Sequence, residues 1–301
     1  MRRSHQDRIH SKLEAMNNAR SLPRTCAAAT LAVACALAVA LYAIPGRTET
    51  PKQAARAAAL QAVIDNPARP AADRDRDRYR HPLETLQFFG LKPTMTVVEI
   101  WPGGGWYTDI LAPYLKDNGK LYEAVPPGPR SDPYRKKLAA DPKLYGVVTI
   151  TELGPPNHYD IAPPRSADMV LTFRNVHNWM RGGFAEDVFK AMYKALRPGG
   201  ILGVEEHRAD PKLPQDPKAS SGYVREDYVI GLAEKAGFHL MAKSEINANL
   251  KDTKDYKQGV WTLPPTLRMG NVDRDKYQGI GESDRMTLKF VKPIHLASAK
   301  H

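Results

Sequence analysis

The stretch Val97-Val98-Glu99-Ile100-Trp101-Pro102-Gly103-Gly104-Gly105-Trp106-Tyr107-Thr108 decides how the rest of the chain is read. An apolar run ends in an acid, three consecutive glycines follow, and a helix-like segment, 109–115, opens directly after them. A strand, a glycine turn and a helix in that order let bare backbone approach a ligand closely, with helix N–H groups aimed at it. Nucleotide-binding folds of several kinds use such a turn, and so do tight turns with no ligand. The surrounding pattern therefore carries the weight.

Outward from this turn, strand-like and helix-like segments alternate. Strands are expected at 96–101, 120–125, 146–151, 168–173, 201–206, 238–244 and 286–291. Helices are expected at 184–196, where Phe184, Val188, Met192 and Leu196 recur every fourth residue, and at 225–236, closed by Gly237. Pro82 suits the first turn of another helix, with Leu83, Leu86, Phe88 and Phe89 as its apolar face and Gly90 as its stop. This alternation predicts an α/β fold: a seven-stranded, mostly parallel sheet with helices on both faces. Ligands of such sheets sit beyond the carboxyl ends of the strands. Residues 247–284 break the pattern, being polar, rich in glycine and proline, and without helical period; they read as a long inserted loop or lid.

The 301 residues, 42% hydrophobic and 26% charged, have ordinary globular composition. The net charge of +11 is scattered. The alternating run Asp73-Arg74-Asp75-Arg76-Asp77-Arg78 reads as a solvated face, and no basic stripe with interleaved aromatics points to nucleic acid. Residues 26–44 carry no charge and are flanked by Arg20, Arg24 and Arg47. As a helix their ~19 residues would span ~28 Å, close to a hydrocarbon core. This segment is either a secretory signal, with cleavage options such as Ala38-Val39-Ala40, or an N-terminal membrane anchor with its basic end inside. Both readings place the domain outside the cytoplasmic membrane, in the periplasm or on the membrane's outer face. A reversed anchor would leave it in the cytoplasm, and the basic lead argues against that. Cys26 and Cys35 both lie in this segment, so the rest of the chain has no disulfide or thiolate site. The expected map is 1–46 signal or anchor, 47–81 linker and accessory helix, 82–293 the main domain, and 294–301 a tail.

Three segments, taken together in order and spacing, resemble the class I, Rossmann-like S-adenosylmethionine-dependent methyltransferases. They are 97–108; Ser166-Ala167-Asp168-Met169-Val170-Leu171-Thr172-Phe173-Arg174-Asn175-Val176-His177-Asn178-Trp179; and Ala195-Leu196-Arg197-Pro198-Gly199-Gly200-Ile201-Leu202-Gly203-Val204-Glu205-Glu206-His207. The first most resembles exported bacterial methyltransferases that carry Glu-Ile-Trp-Pro-Gly-Gly-Gly-Trp-Tyr-Thr. The resemblance implies S-adenosyl-L-methionine as cofactor and an unidentified small-molecule acceptor. It places Glu99 near the donor's methionine part and Gly103, Gly104 and Gly105 against the donor. Trp101 stands where many members have their first glycine, so its indole either fills part of the pocket or turns away. Many relatives end the second strand with an acid that binds the ribose; here Glu123, early in that strand, is the stand-in. Glu152 is either an adenine contact or an exposed loop carboxylate.

His177 is the candidate general base, since histidine titrates near ~6.5 in water. Arg174 would hold an anionic substrate, and Asn175 would bind donor or substrate; alternatively, these three form a hydrogen-bonded loop that only shapes the pocket. Metal-dependent relatives place carboxylates after the fourth and fifth strands. Here Arg174 would repel a cation beside Glu206 and His207, so no metal is expected. There is no Gly-x-Ser-x-Gly elbow, no His-Glu-x-x-His and no Gly-Lys-Ser/Thr. Gly103-x-Gly105-x-x-Thr108 lies within one residue of a dinucleotide fingerprint but lacks a strand-end acid ~20 residues later. Because S-adenosylmethionine is made in the cytoplasm, a second reading stands beside the enzyme. It is an exported, non-catalytic ligand-binding protein that reuses the fold, with Trp101, Trp106 and Trp179 as aromatic walls.

Overall fold

Seven strands make one sheet in the order β3-β2-β1-β4-β5-β7-β6. They are β1 (Thr96–Ile100), β2 (Lys120–Val125), β3 (Val148–Glu152), β4 (Ala167–Phe173), β5 (Leu196–His207), β6 (His239–Ser244) and β7 (Arg285–Val291). The first five pair in parallel, and β7 runs antiparallel between β5 and β6. The α/β fold and the mostly parallel sheet are those expected from the sequence. The computed structural model describes residues 50–294, which fall in one compact unit. Segment 26–44, with its signal or anchor readings, and nearly all of the 294–301 tail lie outside the described residues. No helix among the described residues is long and apolar enough to cross a membrane.

Strand alternation builds a core on each face of the sheet. Val98, Ile100 and Val170 face one core, with Trp179, Val188, Phe189 and Met192. Val97, Met169, Leu171 and Phe173 face the other, with Leu86, Phe89, Ile110 and Leu115. α8 (Val176–Gly182), α9 (Ala185–Ala195) and α10 (Glu226–Lys235) supply the first core, and α4 (Pro82–Phe89), α5 (Thr108–Leu115), α6 (Asp132–Ala140) and α7 (Pro142–Tyr145) the second. Pro82 opens α4, and Gly90 closes it in a left-handed conformation (φ 87°), as the sequence predicts.

Three expectations change. Trp101 leaves β1, because its backbone turns left-handed (φ 48°). The segment before Pro82 contains the accessory helix expected there but is packed, where a linker was also expected: α1 (Pro51–Ile64) packs on α4 and α5, and α2 (Ala71–Arg74) and α3 (Asp77–Arg80) follow. Arg69, buried, bonds Asp77 (2.8 Å) and the Ile64 carbonyl (2.7 Å), which folds this arm back on itself. The 247–284 segment is not free of helix, since it contains α11 (Arg274–Ile280) and a 3-10 turn (Gly259–Thr262). It is pinned by Asn247 to Thr85 and Thr287 (3.0 Å each) and by Val260 N–H to the Ser221 carbonyl (2.8 Å).

Gly203, mid-β5, lets α4 sit against the sheet: a Cβ there would lie 2.8 Å from both Phe89 and Leu171. Gly203→Ala is expected to lower stability by about 1–3 kcal/mol in urea denaturation, the usual cost of overpacking. An unchanged midpoint would show that α4 packs elsewhere.

Candidate active site

β1 leads off toward β2 and β3 on one side, and β4 toward β5 on the other, so the crevice of the sheet opens between their carboxyl ends. Two cavities lie there. The larger, about 860 Å³, extends past β2 to Val125, Pro126, Ser131 and Tyr134. The smaller, about 440 Å³, runs past β4 and β5 to Arg174, His177, His207 and Trp261. They share Trp101, Pro102, Gly103, Gly104, Asn175 and Asn178 as lining. A Cβ on Gly103 or Gly104 would meet no protein atom within 4 Å, so these two glycines leave open space where the cavities meet. Gly105 lines neither cavity; it is buried, and a Cβ would lie 3.0 Å from the Tyr134 ring and Lys137. Lys137 holds the turn from beneath, bonding the Gly104 carbonyl (3.0 Å) and Asp109 (2.9 Å).

Trp101 does not turn away. Its indole N–H donates to the Leu153 carbonyl (2.9 Å), just past β3, and its ring packs on Trp179 and Phe184 (6.2 and 6.0 Å between centroids). The indole thus lies across the sheet end and forms a wall of both cavities. Trp106 is buried and lines the smaller cavity, with its N–H on the Asp73 carbonyl (3.0 Å). Trp179 is fully buried behind Trp101 and lines neither cavity; Trp261, from the inserted segment, supplies the further aromatic wall.

Asn175 bridges the two strand ends. Its Nδ2 donates to the carbonyls of Ile100 (2.9 Å) and Trp101 (3.2 Å), which locks the loop after β4 to the turn after β1. Arg174 adopts a left-handed backbone (φ 62°) and donates its N–H to the Glu205 carbonyl (2.7 Å). This bend carries its guanidinium into the smaller cavity, 3.7 Å from Glu282.

His177 is held by Glu206. Its Nδ1 lies 3.0 Å from Oε1 of the fully buried Glu206, and its backbone N–H points to Oε2 (3.3 Å). A carboxylate on Nδ1 favours the proton there and leaves Nε2 as the acceptor, the arrangement a general base needs. His207 bonds Ser283 through Nδ1 (2.6 Å), and burial, then His177 and Arg174, push its pKa well below the ordinary histidine value. His177, Glu206 and His207 bring potential metal-ligating atoms within 4.8 Å of one another. Glu206, however, already accepts from His177 Nδ1 and from two backbone N–H groups, including that of His207 (2.8 Å).

Glu99 and Glu123 do not reach either cavity, contrary to the donor contacts expected of them. They are register partners on β1 and β2, so parallel pleating points both side chains to one face, under the turn. Both are buried; Thr108 donates to Glu99 (3.0 Å) and is itself bonded to Tyr134 (2.9 Å). β2 meets the larger cavity only at Val125 and Pro126, so Glu123 sits too early in the strand to act as a ribose acid. Glu152 pairs with Arg135 (2.8 Å) and His158 (2.9 Å) and lines neither cavity.

Asp73, Arg76 and Arg80, not among the residues expected at the site, also line the smaller cavity. Asp73, Arg76, Asp77 and Arg80 follow i, i+3, i+4, i+7 spacing and are the less exposed members of their run, whereas Arg74, Asp75 and Arg78 are exposed. That helical period in the charges was the available signal.

Solved structures share this fold. A SAM-dependent methyltransferase from Aquifex aeolicus is 15% identical, with a TM-score of 0.50 over 78% of this chain and 98% of its own. The [4+2]-cyclase SpnF is 15% identical, with a TM-score of 0.53 over 77% of this chain and 86% of its own. At such identity the likeness establishes the fold. No family model and no curated protein matches the chain.

The buried carboxyl pair sets a pH dependence. Burial pushes Glu99 up to about 7 and, together with Glu99, raises Glu123 well above the carboxylate range. The folded protein therefore binds protons more tightly than the unfolded chain, so the pair's contribution to stability falls as pH rises from about 4.5 through 7. Glu123→Gln gives Glu99 an amide donor and removes one titration. It is expected to stabilise the protein by about 1–3 kcal/mol more at pH 8 than at pH 5, since each pKa unit is worth ~1.4 kcal/mol. A gain independent of pH in urea denaturation would show that the two carboxyls do not share a proton.

Proposed function

We propose that this protein is an S-adenosylmethionine-dependent methyltransferase acting on a small-molecule nucleophile. The larger cavity would take the donor and the smaller one the acceptor. The observation that carries this reading is that the two cavities meet over Gly103, Gly104, Asn175 and Asn178. A group passed from one ligand to the other needs such a junction, and it holds no protein side chain where a glycine Cβ would project. The lining fits a nucleoside-bearing ligand: Trp101, Val125, Pro126, Pro133, Tyr134 and Phe184 give apolar and aromatic surface. When bound, S-adenosylmethionine supplies an electrophilic methyl group on a sulfonium.

The protein's own part is to orient the acceptor and take its proton. His177 Nε2 accepts the proton of the attacking group, and Glu206, a positioning residue, stabilises the imidazolium that results. Asn175 holds the two loops at fixed spacing, so donor and acceptor meet in one geometry.

A second reading is favoured by the charge and shape of the larger cavity. Arg130, Lys137 and Arg181 line it with no carboxylate, and the Trp101 indole occupies space that a glycine would leave open. A protein exported away from cytoplasmic S-adenosylmethionine would then hold a different ligand there. The [4+2]-cyclase among the fold's neighbours is not named for methyl transfer, so the fold alone does not fix the chemistry.

Calorimetric titration with S-adenosylmethionine and S-adenosylhomocysteine separates the two readings. The enzyme reading predicts micromolar binding, about −8 kcal/mol, abolished by Gly104→Trp. That variant is expected to fold, since a Gly104 Cβ has open space and its φ is not left-handed. With an acceptor in hand, His177→Ala is expected to lower kcat by about 10²–10⁴-fold, and Glu206→Gln to displace the pH–rate profile. No binding by the folded protein would leave the second reading.

A further inference from the structure

The smaller cavity carries more positive charge than the protein neutralises. Arg76, Arg80 and Arg174 line it, and Arg285 stands behind them. Against these four guanidiniums stand Glu282, among all four, and Glu205, on Arg285 (2.9 Å). Asp73 also lines the cavity, half-buried and in no ion pair among the described residues, so even with it the cluster keeps an excess of one positive charge. Glu206 is taken by His177.

The donors of this cluster are incompletely used. Arg80 is fully buried, yet only its Nε is bonded, at 3.3 Å to Glu282. No side-chain nitrogen of Arg174 makes a hydrogen bond within the described residues; its nearest carboxylate oxygen is 3.7 Å away. Arg174 Nε and Arg76 Nη2 are buried without a hydrogen-bond partner, and Arg76, Arg80 and Arg174 all line the cavity. A guanidinium held out of bulk water without an acceptor is costly unless an anion completes it. Burial and the neighbouring Arg174 pull Arg80 down to about 9, in keeping with under-compensated charge. The rest of the cavity suits a small organic body: Trp261 stands edge-on to His177, 6.0 Å between ring centroids.

We propose that Arg76, Arg80 and Arg174 bind an oxyanion, a carboxylate or phosphate group of the acceptor, and so hold the acceptor's nucleophile toward His177. The oxyanion site stands on the cluster alone; only its assignment to a methyl acceptor rests on the enzyme reading above. Two Nη pairs and a third guanidinium at one end, and the His177–Glu206 pair with Trp261 beside it, define an acidic small molecule as the substrate class.

The test is calorimetric titration of the full chain, without methyl donor and at low salt, with inorganic phosphate and separately with malonate. Saturable binding of at least one anion is expected, and which one binds more tightly distinguishes phosphate from carboxylate. Arg174→Met is expected to weaken it by at least tenfold and Arg174→Lys by less, while Lys190→Met, at an exposed and distant site, leaves it unchanged. Melting temperatures of the variants confirm that they are folded. Arg80→Met, which removes a buried charge, is read only if it melts cooperatively. The proposal is overturned if folded wild-type protein binds neither anion, or if Arg174→Met binds as tightly as wild type, which would put the anion among Arg130, Lys137 and Arg181 instead. Because no donor is present, failure to bind S-adenosylmethionine and failure to bind the oxyanion are separate results.

Discussion

Glu282 is the charge around which the site is assembled. Its carboxylate takes Arg76 Nε at 2.6 Å, Arg80 at 3.3 Å, Arg285 at 3.4 Å and Arg174 at 3.7 Å. Those residues come from the N-terminal arm, from β7 and from the loop after β4. Burial alone would raise this carboxyl, but Arg80, Arg285, Arg174 and Arg76 hold it down to about 2. Its stabilising effect is therefore full above the ordinary carboxylate range and fades as pH falls toward about 2. Without it, four cations would crowd one buried region, and a broken buried pair costs about 3–5 kcal/mol. The arrangement also fixes Arg285, whose remaining contacts are Glu205 and the Tyr79 carbonyl. One carboxylate thus ties arm, sheet and cavity together while leaving the cavity basic.

The turn after β1 works under a related constraint. Its first residue must bend left-handed, a conformation that favours glycine, yet Trp101 occupies it at φ 48°. Holding a bulky residue there costs about 1–3 kcal/mol. The indole offsets that cost through its bond to Leu153 and its packing on Trp179 and Phe184. The result is a rigid aromatic wall common to both cavities, with Asn175 fastening the facing loop to the same turn.

Much of this was legible in the sequence. Apolar runs and glycine stops located the strands, because strand period and helix period are local properties of the chain. Arg174, Asn175 and His177 were recognisable because residues that follow β4 must fall at the crevice. Glu123 was misplaced because its direction depends on register with β1, which pairs it with Glu99 and turns both away from the cavity. Glu206 entered the reading only as a metal ligand that Arg174 argued against, and its 3.0 Å contact with His177 depends on how the strand end packs on the loop after β4. Arg76 was hidden in a run that alternates charge along the sequence, with Arg80 just beyond it, and the two sort to the inward face only when the chain is helical. Glu282 and Trp261 sit in a segment without period, and contacts more than 80 residues away in sequence, such as Arg80 with Glu282, bring them to the site.

Under the proposed methyl transfer, the site divides into a donor half and an acceptor half at the glycine turn. A crystal structure of the protein with S-adenosylhomocysteine and malonate tests it most directly. The nucleoside is expected against Trp101 and Tyr134 in the larger cavity, its sulfur at Gly103–Gly104, and malonate on Arg80 and Arg174. Both ligands in one cavity, or S-adenosylhomocysteine bound away from the turn, would contradict it.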